Sequence, residues 1–547
     1  MSSSGPIAPE FGVTSGVNSP AQSVFSHRVT RFGLSACILL SLVAGFSQLP
    51  TRDTWMDEVW SMFLSDPSIP IGSLIFDRWA YDIHPPLFMW LARCFRSLVA
   101  DEIPAARMLN LLVLLPALAY LASLWNRAPA MRAVLALFAP VFCSGMLFVH
   151  YAAEFRVYFM LILVSAVYAL SSYRVIVTTV SNQPMPPLDQ GVMMASAFML
   201  MSLHVLAMPF VLMHAGLIVL LLVLMLGMQG AQPKLLRLRG YWTVIAMALL
   251  SLAGFYLFIE DFQQGTTAGG SWIAAVSLPQ AILRIGKWVF KMAPGVVALG
   301  LIFWTPFLKP SRMAASVSSA SGPSTSDPAM RTAHEAEQLW LWSMLLTLGG
   351  FVGMMLCANL KTPLMVDRYF AVMTGPLAAV LAVLAARVLL RLASPVQALV
   401  LAAAIANSVA ATVYHVATEK TVWNEGLYYA ESLNYVKTLN VRCDQPLLHA
   451  TDNRLRYAVY QAQLGDWVAR YLGPPTGLQM RAAGPDTPIR ATPQCPVALW
   501  LPFISRGGAA GMLDSVISEH KLVLDGVSVD QLEIQLLGST AIVRLKP

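Results

Sequence analysis

The sequence predicts an all-α polytopic membrane protein of about 11 spanning helices, followed by a small C-terminal α/β domain. Three observations predict this. Of the 547 residues, 57% are apolar and only 12% charged, about half the charged share of soluble domains. Apolar segments of roughly 20 residues, the length that crosses a bilayer, recur from Phe32 to about residue 414. From about His415 the chain turns polar, with turns such as Gly473-Pro474-Pro475 and short apolar runs.

The elements follow in order. Residues 1–30 form a Ser-, Pro- and Gly-rich tail, read as disordered. They lack a convincing cleavage site, so Phe32 to about Leu49 reads as a retained anchor. A first outer loop, 50–102, comes next. Further spans are expected near 103–124, 131–149, 155–172, 191–206, 207–226, 241–259, 293–308, 338–358, 369–390 and 396–414. Arg127, Arg132, Arg174, Lys234, Arg237, Arg239, Lys309, Arg312, Arg331, Arg387 and Arg391 then share one side with the tail, which the positive-inside rule makes cytoplasmic. Pro85 to about Val99 carries Arg93 and Arg96 and is short. As a span it would turn every later basic loop outward, so it reads as an interfacial helix. A hairpin at His204–Met208–Pro209 is where two short spans meet.

Eleven spans leave the C-terminus outside. Residues 415–547 read as one extracytoplasmic α/β domain, with strands at Val497–Leu501, Leu532–Leu537 and Ala541–Leu545. Cys443 and Cys495 are the two cysteines of that domain, and an oxidising compartment favours a disulfide between them. Cys37, Cys143 and Cys357 lie at spans, as small core hydrophobes. The net charge of +7 is explained by the basic loops without nucleic acid. No Walker loop or Gly-rich dinucleotide fingerprint is present, so a nucleotide sugar is not the obvious substrate.

The chemistry concentrates at outer helix ends. Trp55-Met56-Asp57-Glu58-Val59-Trp60-Ser61 is followed by Asp82-Ile83-His84-Pro85-Pro86-Leu87. Carboxylates at a bilayer surface are costly and usually functional. Together these runs resemble the first-loop signature of the GT-C type polytopic glycosyltransferases, a group that includes protein mannosyltransferases, aminoarabinose transferases and lipopolysaccharide galacturonosyl transferases. Tyr151-Ala152-Ala153-Glu154-Phe155-Arg156-Val157-Tyr158 is similar to a second family pattern, Tyr-Ser-Gln-Glu-Ala-Arg-x-Tyr. It departs at Ala152, Ala153 and Phe155, which puts the polar contact of the family's Gln in doubt. Arg368-Tyr369, before a span, is similar to a third. The resemblance covers roughly residues 50–390.

It implies an extracytoplasmic active site in a bacterial inner membrane, with a polyprenyl-phosphate sugar as donor. The acceptor is a glycolipid such as lipopolysaccharide, a polysaccharide or a protein. Transfer by inversion needs a carboxylate to take the acceptor's proton. The phosphate leaves without a second acid, unlike the alkoxide of glycoside hydrolysis, and cations stabilise its charge. Asp57 matches the proposed base, with Glu58 supporting it. Glu154 is the second acid, on one helical face with Tyr158 while Arg156 points away. Arg368, Tyr369, Lys361, Arg156 and His84 are the candidate phosphate ligands, with Asp82 and Tyr158 in support. Plainer readings stand beside these: a Glu154–Arg156 interface pair, Asp367 neutralising Arg368, and His84 as a helix-start residue. No cofactor is demanded. A divalent cation stays open, because some relatives place one near the two acids. The competing function is a multi-span transporter or flippase. Against it, His214 is almost the only ionisable group deep in an expected span.

Overall fold

The computed structural model describes residues 28–50, 52–82, 84–181, 183–184, 186–227, 239–263, 276–291, 328–360, 366–422, 425–449, 466–472, 477–483, 487–501, 523–537 and 540–546. The expected span at 293–308, most of the tail, and Lys361 lie outside them.

The chain is an integral membrane protein, mostly helical. Helix α1 is Arg28–Phe46, so it begins before the expected anchor. The first loop holds α2 (Met56–Leu64) and α3 (Leu87–Arg96). Asp57 and Glu58 sit in the first turn of α2, where the helix dipole favours negative charge. Pro86 is the N-cap of α3, whose 10 residues are too few to cross a bilayer. Next come α4 (Ile103–Arg107), α5 (Leu109–Arg127), α6 (Arg132–Cys143), α7 (Met146–Ala152), α8 (Val157–Val180), α9 (Pro187–Leu203) and α10 (Ala207–Gly227). They are followed by α11 (Arg239–Gln263), α12 (Leu278–Lys291), α13 (Pro328–Asn359), α14 (Ala371–Leu389), α15 (Ser394–Val422) and α16 (Glu425–Leu439).

Among the described residues, 7 helices are long and apolar enough to cross a membrane, or 8 if α6 and α7, bent by 63°, form one span. That is fewer than the 11 expected. Helix α9 has only 17 residues, because the backbone turns extended at His204 (φ −151°, ψ 133°). The apolar part of α1 is also short. Helix α15 runs on to Val422, past the residue where the composition changes.

Helix α8 is the spine, buried along most of its length and packed on α9 and α14. Gly375 in α14 makes that packing close. A Cβ there would lie 2.3 Å from the Ala166 backbone nitrogen, so no larger residue fits without separating the helices.

The C-terminal region carries a mixed five-stranded sheet of order β2-β1-β4-β7-β6. The strands are β1 (Leu447–His449), β2 (Met480–Ala482), β4 (Val497–Leu501), β6 (Leu532–Leu537) and β7 (Thr540–Leu545). A separate parallel pair joins β3 (Pro488–Ile489) to β5 (Val523–Leu524). Strand β4 is buried at every residue and α16 covers it, with Trp500 Nε1 donating to Ser432 Oγ at 3.0 Å. Strands β1 and β4 run parallel side by side, which brings Cys443 and Cys495, just before each, to 4.8 Å between Cα atoms in a disulfide.

This region touches the first outer loop. Asp101 accepts from Tyr471 Oη at 2.7 Å and from Arg96 Nη2 at 2.5 Å, and it also pairs with Arg470. Trp467 packs edge-on against Phe63 at 6.1 Å.

Candidate active site

The break between α7 and α8 shapes the site. Residues 153–156 are not helical, and Arg156 caps α8 with extended backbone (φ −144°, ψ 164°). The expectation that Glu154 and Tyr158 share a helical face is therefore corrected. The extended cap turns Arg156 toward Asp57, and Glu154 toward a different partner.

Asp57 Oδ2 meets Arg368 Nη1 at 2.7 Å and Arg156 Nη2 at 3.3 Å. Arg156 is tethered further, with Nη1 donating to Ser61 Oγ at 3.1 Å and to the Asp57 carbonyl at 3.2 Å. Arg368 lies over the Trp55 ring, 5.6 Å from its centroid. Three segments remote in sequence thus converge on one carboxylate. The alternative that Asp367 alone engages Arg368 is set aside by the Asp57 contact.

The three acids differ in access. The Asp57 side chain is 22% exposed, whereas Glu58 and Glu154 are 0% exposed. Glu58 is committed to structure. Its carboxylate takes Arg107 Nε at 2.8 Å, Arg107 Nη2 at 2.7 Å and the Phe155 N–H at 2.8 Å. Burial opposes its ionisation, but Arg107, Arg52 and that N–H hold its pKa below the ordinary glutamate value. Arg107 spends its remaining donors on the carbonyls of Leu49, Arg52 and Asp53, so all five are used. This clasp ties the end of α1, the start of α2, α4 and the 153–156 break together.

Glu154 Oε2 meets Arg52 Nη2 at 3.3 Å and His150 Nε2 at 3.4 Å, while Oε1 has no hydrogen-bond partner among the described residues. Burial, reinforced by the charges of Glu58 and Asp57, pushes its pKa up to about 7 against the pull of Arg52 and Arg156.

A second cluster adjoins the first. Asp82 Oδ1 accepts from His84 at Nδ1 (2.6 Å) and at the backbone N–H (2.7 Å), and Oδ2 accepts from Trp60 Nε1 at 2.7 Å. Asp82 is buried, which alone would raise its pKa, yet His84 and Trp60 bring it down to about 2. The His84 ring lies 5.2 Å from His204, which is 6.1 Å from Tyr158 and 5.8 Å from Tyr369. Arg156 stands 5.7 Å over Tyr158, which joins the two clusters.

Sequence reasoning placed Asp57, Arg368, Tyr369, Asp82, His84, Arg156 and Tyr158 in the site, and the structure brings all of them together. It missed His204, Arg107, Arg52 and His150. Arg107 carried a signal, a charge at the start of an apolar span. His204 is brought in by the backbone break after α9.

At the opposite end, buried Asp189 accepts from Arg127 Nη1 at 2.8 Å and lies 3.7 Å from Arg174 Nε. The path from Arg107 to Arg127 along α4 and α5 is about 30 Å at helical rise, a bilayer's core. Two of the basic helix ends expected on one side, Arg127 and Arg174, thus meet at Asp189.

Among the described residues, no group of three or more His, Cys, Asp or Glu side chains is arranged to hold a metal ion. Asp57 is paired with Arg368 and Arg156, and Glu154 with Arg52.

No family model matches the chain, and no curated protein matches it. Among solved structures it is similar to ArnT from Cupriavidus metallidurans bound to undecaprenyl phosphate, at 11% identity and a TM-score of 0.49, over 93% of this chain and 97% of that one. The apo form of the same protein gives 12% identity and a TM-score of 0.46 over the same shares. At such values the chemistry has to be argued from this chain's own residues.

Proposed function

We propose that this chain is a GT-C type glycosyltransferase that moves a sugar from a polyprenyl phosphate to an extracytoplasmic acceptor. The acceptor is a glycolipid such as lipopolysaccharide, a polysaccharide or a protein. The observation that carries this reading is the partly exposed Asp57 carboxylate held between the Arg156 and Arg368 guanidiniums. Transfer needs one accessible base and cations for a phosphate, and this cluster offers both.

In the proposed reaction, the donor phosphate binds Arg368 and Arg156 while the prenyl chain stays among the apolar helices. The arriving anion shares the two guanidiniums, which loosens their hold on Asp57 and frees its carboxylate for the acceptor hydroxyl. The acceptor oxygen attacks the anomeric carbon from the face opposite the phosphate. The carbon–phosphate oxygen bond breaks, its electron pair leaves with the phosphate, and the acceptor's proton passes to Asp57. The configuration inverts. Arg368 and Arg156 stabilise the charge that grows on the leaving phosphate. Glu58 keeps the base in place through Arg107, and Glu154 orients the loop through Arg52. Lys361 remains a further phosphate ligand on this reading. The chain sits in a bacterial inner membrane with its N-terminus cytoplasmic, as its basic helix ends suggest.

The test compares envelope glycolipids and glycoproteins by mass spectrometry in cells with the wild-type chain, with none, and with Asp57→Asn. A sugar modification should be present in the first and absent in the other two. Identical profiles in all three would sink the assignment.

A further inference from the structure

Helix α12 stands beside the phosphate end of the site, yet no step of the proposed reaction uses it. Its Trp288, 1% exposed, packs on Phe370 with ring centroids 5.6 Å apart. Phe370 closes the 3₁₀ turn Asp367–Phe370, which also carries Arg368. The indole Nε1 has no hydrogen-bond partner among the described residues, so what Trp288 gives Phe370 is its shape. The start of α12 is fixed as well. Gln280 Oε1 accepts the Ser277 N–H at 3.0 Å, one half of a capping box. The Val276 carbonyl accepts Nδ2 of Asn359, the last residue of α13, at 3.3 Å.

The sides of this helix differ in character. At about 100° per residue, Leu278, Ile282, Ile285 and Val289 form one stripe, and Gln280, Arg284 and Lys287 form the stripe opposite. Buried Ala281 and Trp288 lie between the two, on the flank that makes the Phe370 contact. Leu278 is 52% and Ile282 56% exposed, and Lys287 is exposed too. The protein thus covers one flank and leaves an apolar side and a basic side facing opposite ways. With 14 residues, about 21 Å of helix, α12 is too short to cross a bilayer. Docked by its flank, it has the form of a helix lying in a membrane surface.

The bilayer is the partner that fits. The helices at whose ends α12 is held, α13 and α14, are long and apolar enough to cross it, so the apolar stripe continues a surface that already meets lipid. The basic stripe complements phosphate headgroups.

We propose that α12 is a membrane seat for the phosphate site: it lies in the bilayer surface at the Asp57 end of the bundle and, through Trp288 and Phe370, fixes where Arg368 stands. Leu278 and Ile282 enter the acyl chains, and Lys287 meets the headgroups. Trp288 is a positioning residue, since it touches Phe370 and acts on the donor only through Arg368. This last step rests on the reading of Arg368 as a donor-phosphate ligand.

The test uses the full-length chain in nanodiscs of phosphatidylcholine mixed with phosphatidylglycerol. Spin labels are placed on single cysteines, Ile282→Cys or Lys287→Cys, with Cys37, Cys94, Cys143 and Cys357 replaced by alanine. Lipid-soluble oxygen should relax the label at 282 more than a water-soluble nickel chelate does, and the order should reverse at 287. A label at 282 reached mainly by the nickel chelate, or by neither reagent because protein covers it, overturns the seat. Binding of sugar-free C55 polyprenyl phosphate is then titrated. Ile282→Asp changes an exposed side chain and should melt with wild type, yet bind this lipid about fivefold more weakly, because a charge lifts the stripe out of the acyl region. Trp288→Ala should lose about tenfold, the order of one charged hydrogen bond at Arg368, and Trp288→Phe should recover most of it. If Trp288→Ala does not fold, Trp288→Phe and Ile282→Asp carry the test. Wild-type affinity in Ile282→Asp overturns the coupling, as does a Trp288→Phe protein that binds as weakly as Trp288→Ala. A wild type that does not bind polyprenyl phosphate overturns the transferase reading and the Trp288 link with it, while the spin labels still decide the seat.

Discussion

Removing the Glu58 carboxylate should unfold the outer end of this protein more than it should change its chemistry. Glu58→Ala leaves Arg107, which is 0% exposed, with two N–H groups unanswered, and leaves the Phe155 N–H unanswered too. Breaking a buried pair from one side costs about 3–5 kcal/mol, because the surviving charge stays buried. Three lost acceptor contacts at about 1–3 kcal/mol each give the same order. Glu58→Leu with Arg107→Met removes both charges together and should recover much of that loss. The assay is thermal unfolding of the detergent-solubilised protein, followed by fluorescence-detected size exclusion, for wild type, Glu58→Ala, the single variants Glu58→Leu and Arg107→Met, and the pair. The single variants should melt several degrees lower and the double variant should lie between them and wild type. A Glu58→Ala protein that melts with wild type, or a double variant showing the full sum of both losses, would refute the clasp as a coupled unit.

Four further outcomes are expected. Asp57→Asn should abolish transfer in a purified assay while the protein stays folded and binds sugar-free polyprenyl phosphate; near-normal turnover would remove the base assignment. Arg368→Ala should weaken that lipid by about tenfold or more in a direct titration, with Arg368→Lys recovering only part, because the planar fork is lost. The pKa of Glu154 is raised, so the folded state holds its proton more tightly than the unfolded one. The linked stability is full below the unfolded value near 4.5 and is lost as pH rises through about 7. The unfolding temperature of wild type relative to Glu154→Gln should therefore fall between pH 5 and pH 8, by the equivalent of roughly 3 kcal/mol, and parallel curves would contradict this. Asp101→Ala removes the acceptor shared by Arg96, Arg470 and Tyr471. Limited proteolysis should then release the C-terminal region faster, while an unchanged digestion rate would show that the apolar Phe63–Trp467 contact holds it alone.

The parts of this molecule that depend on composition were legible, and the parts that depend on backbone breaks were not. Ten of the eleven expected spans coincide with described helices, and the one near 293–308 lies outside the described residues. Apolar runs impose helices in a membrane whatever their neighbours do, because every backbone polar group must be satisfied internally. Asp57 and Arg368 were readable as parts of local patterns. Their meeting across 311 positions was not, since no local spacing encodes it. Glu58 was read as supporting its neighbour, because successive residues on a helix point apart. It is Arg107, 49 positions on, that shows what Glu58 does. Arg156 was read as pointing away from Glu154 and Tyr158 because helical spacing was applied from residue 154, where the backbone is not yet helical. His204 was read only as the junction of two short spans, because nothing local in the sequence shows that the junction folds against His84 and Tyr369.

The close contact of Gly375 with Ala166 acts as the pivot of a pair of callipers. Arg368 is carried on one arm and Arg156 on the other, each about 10–15 Å from the pivot at helical rise. Beyond their local contacts, both arginines depend on how closely these two helices approach at the middle of the bundle. A side chain at Gly375 as small as a methyl group would open the arms at their tips. Directed-evolution libraries aimed at a new sugar would do well to leave that glycine alone and vary the residues around the gap. A random screen for inactive variants should return Gly375 beside Asp57 and Arg368.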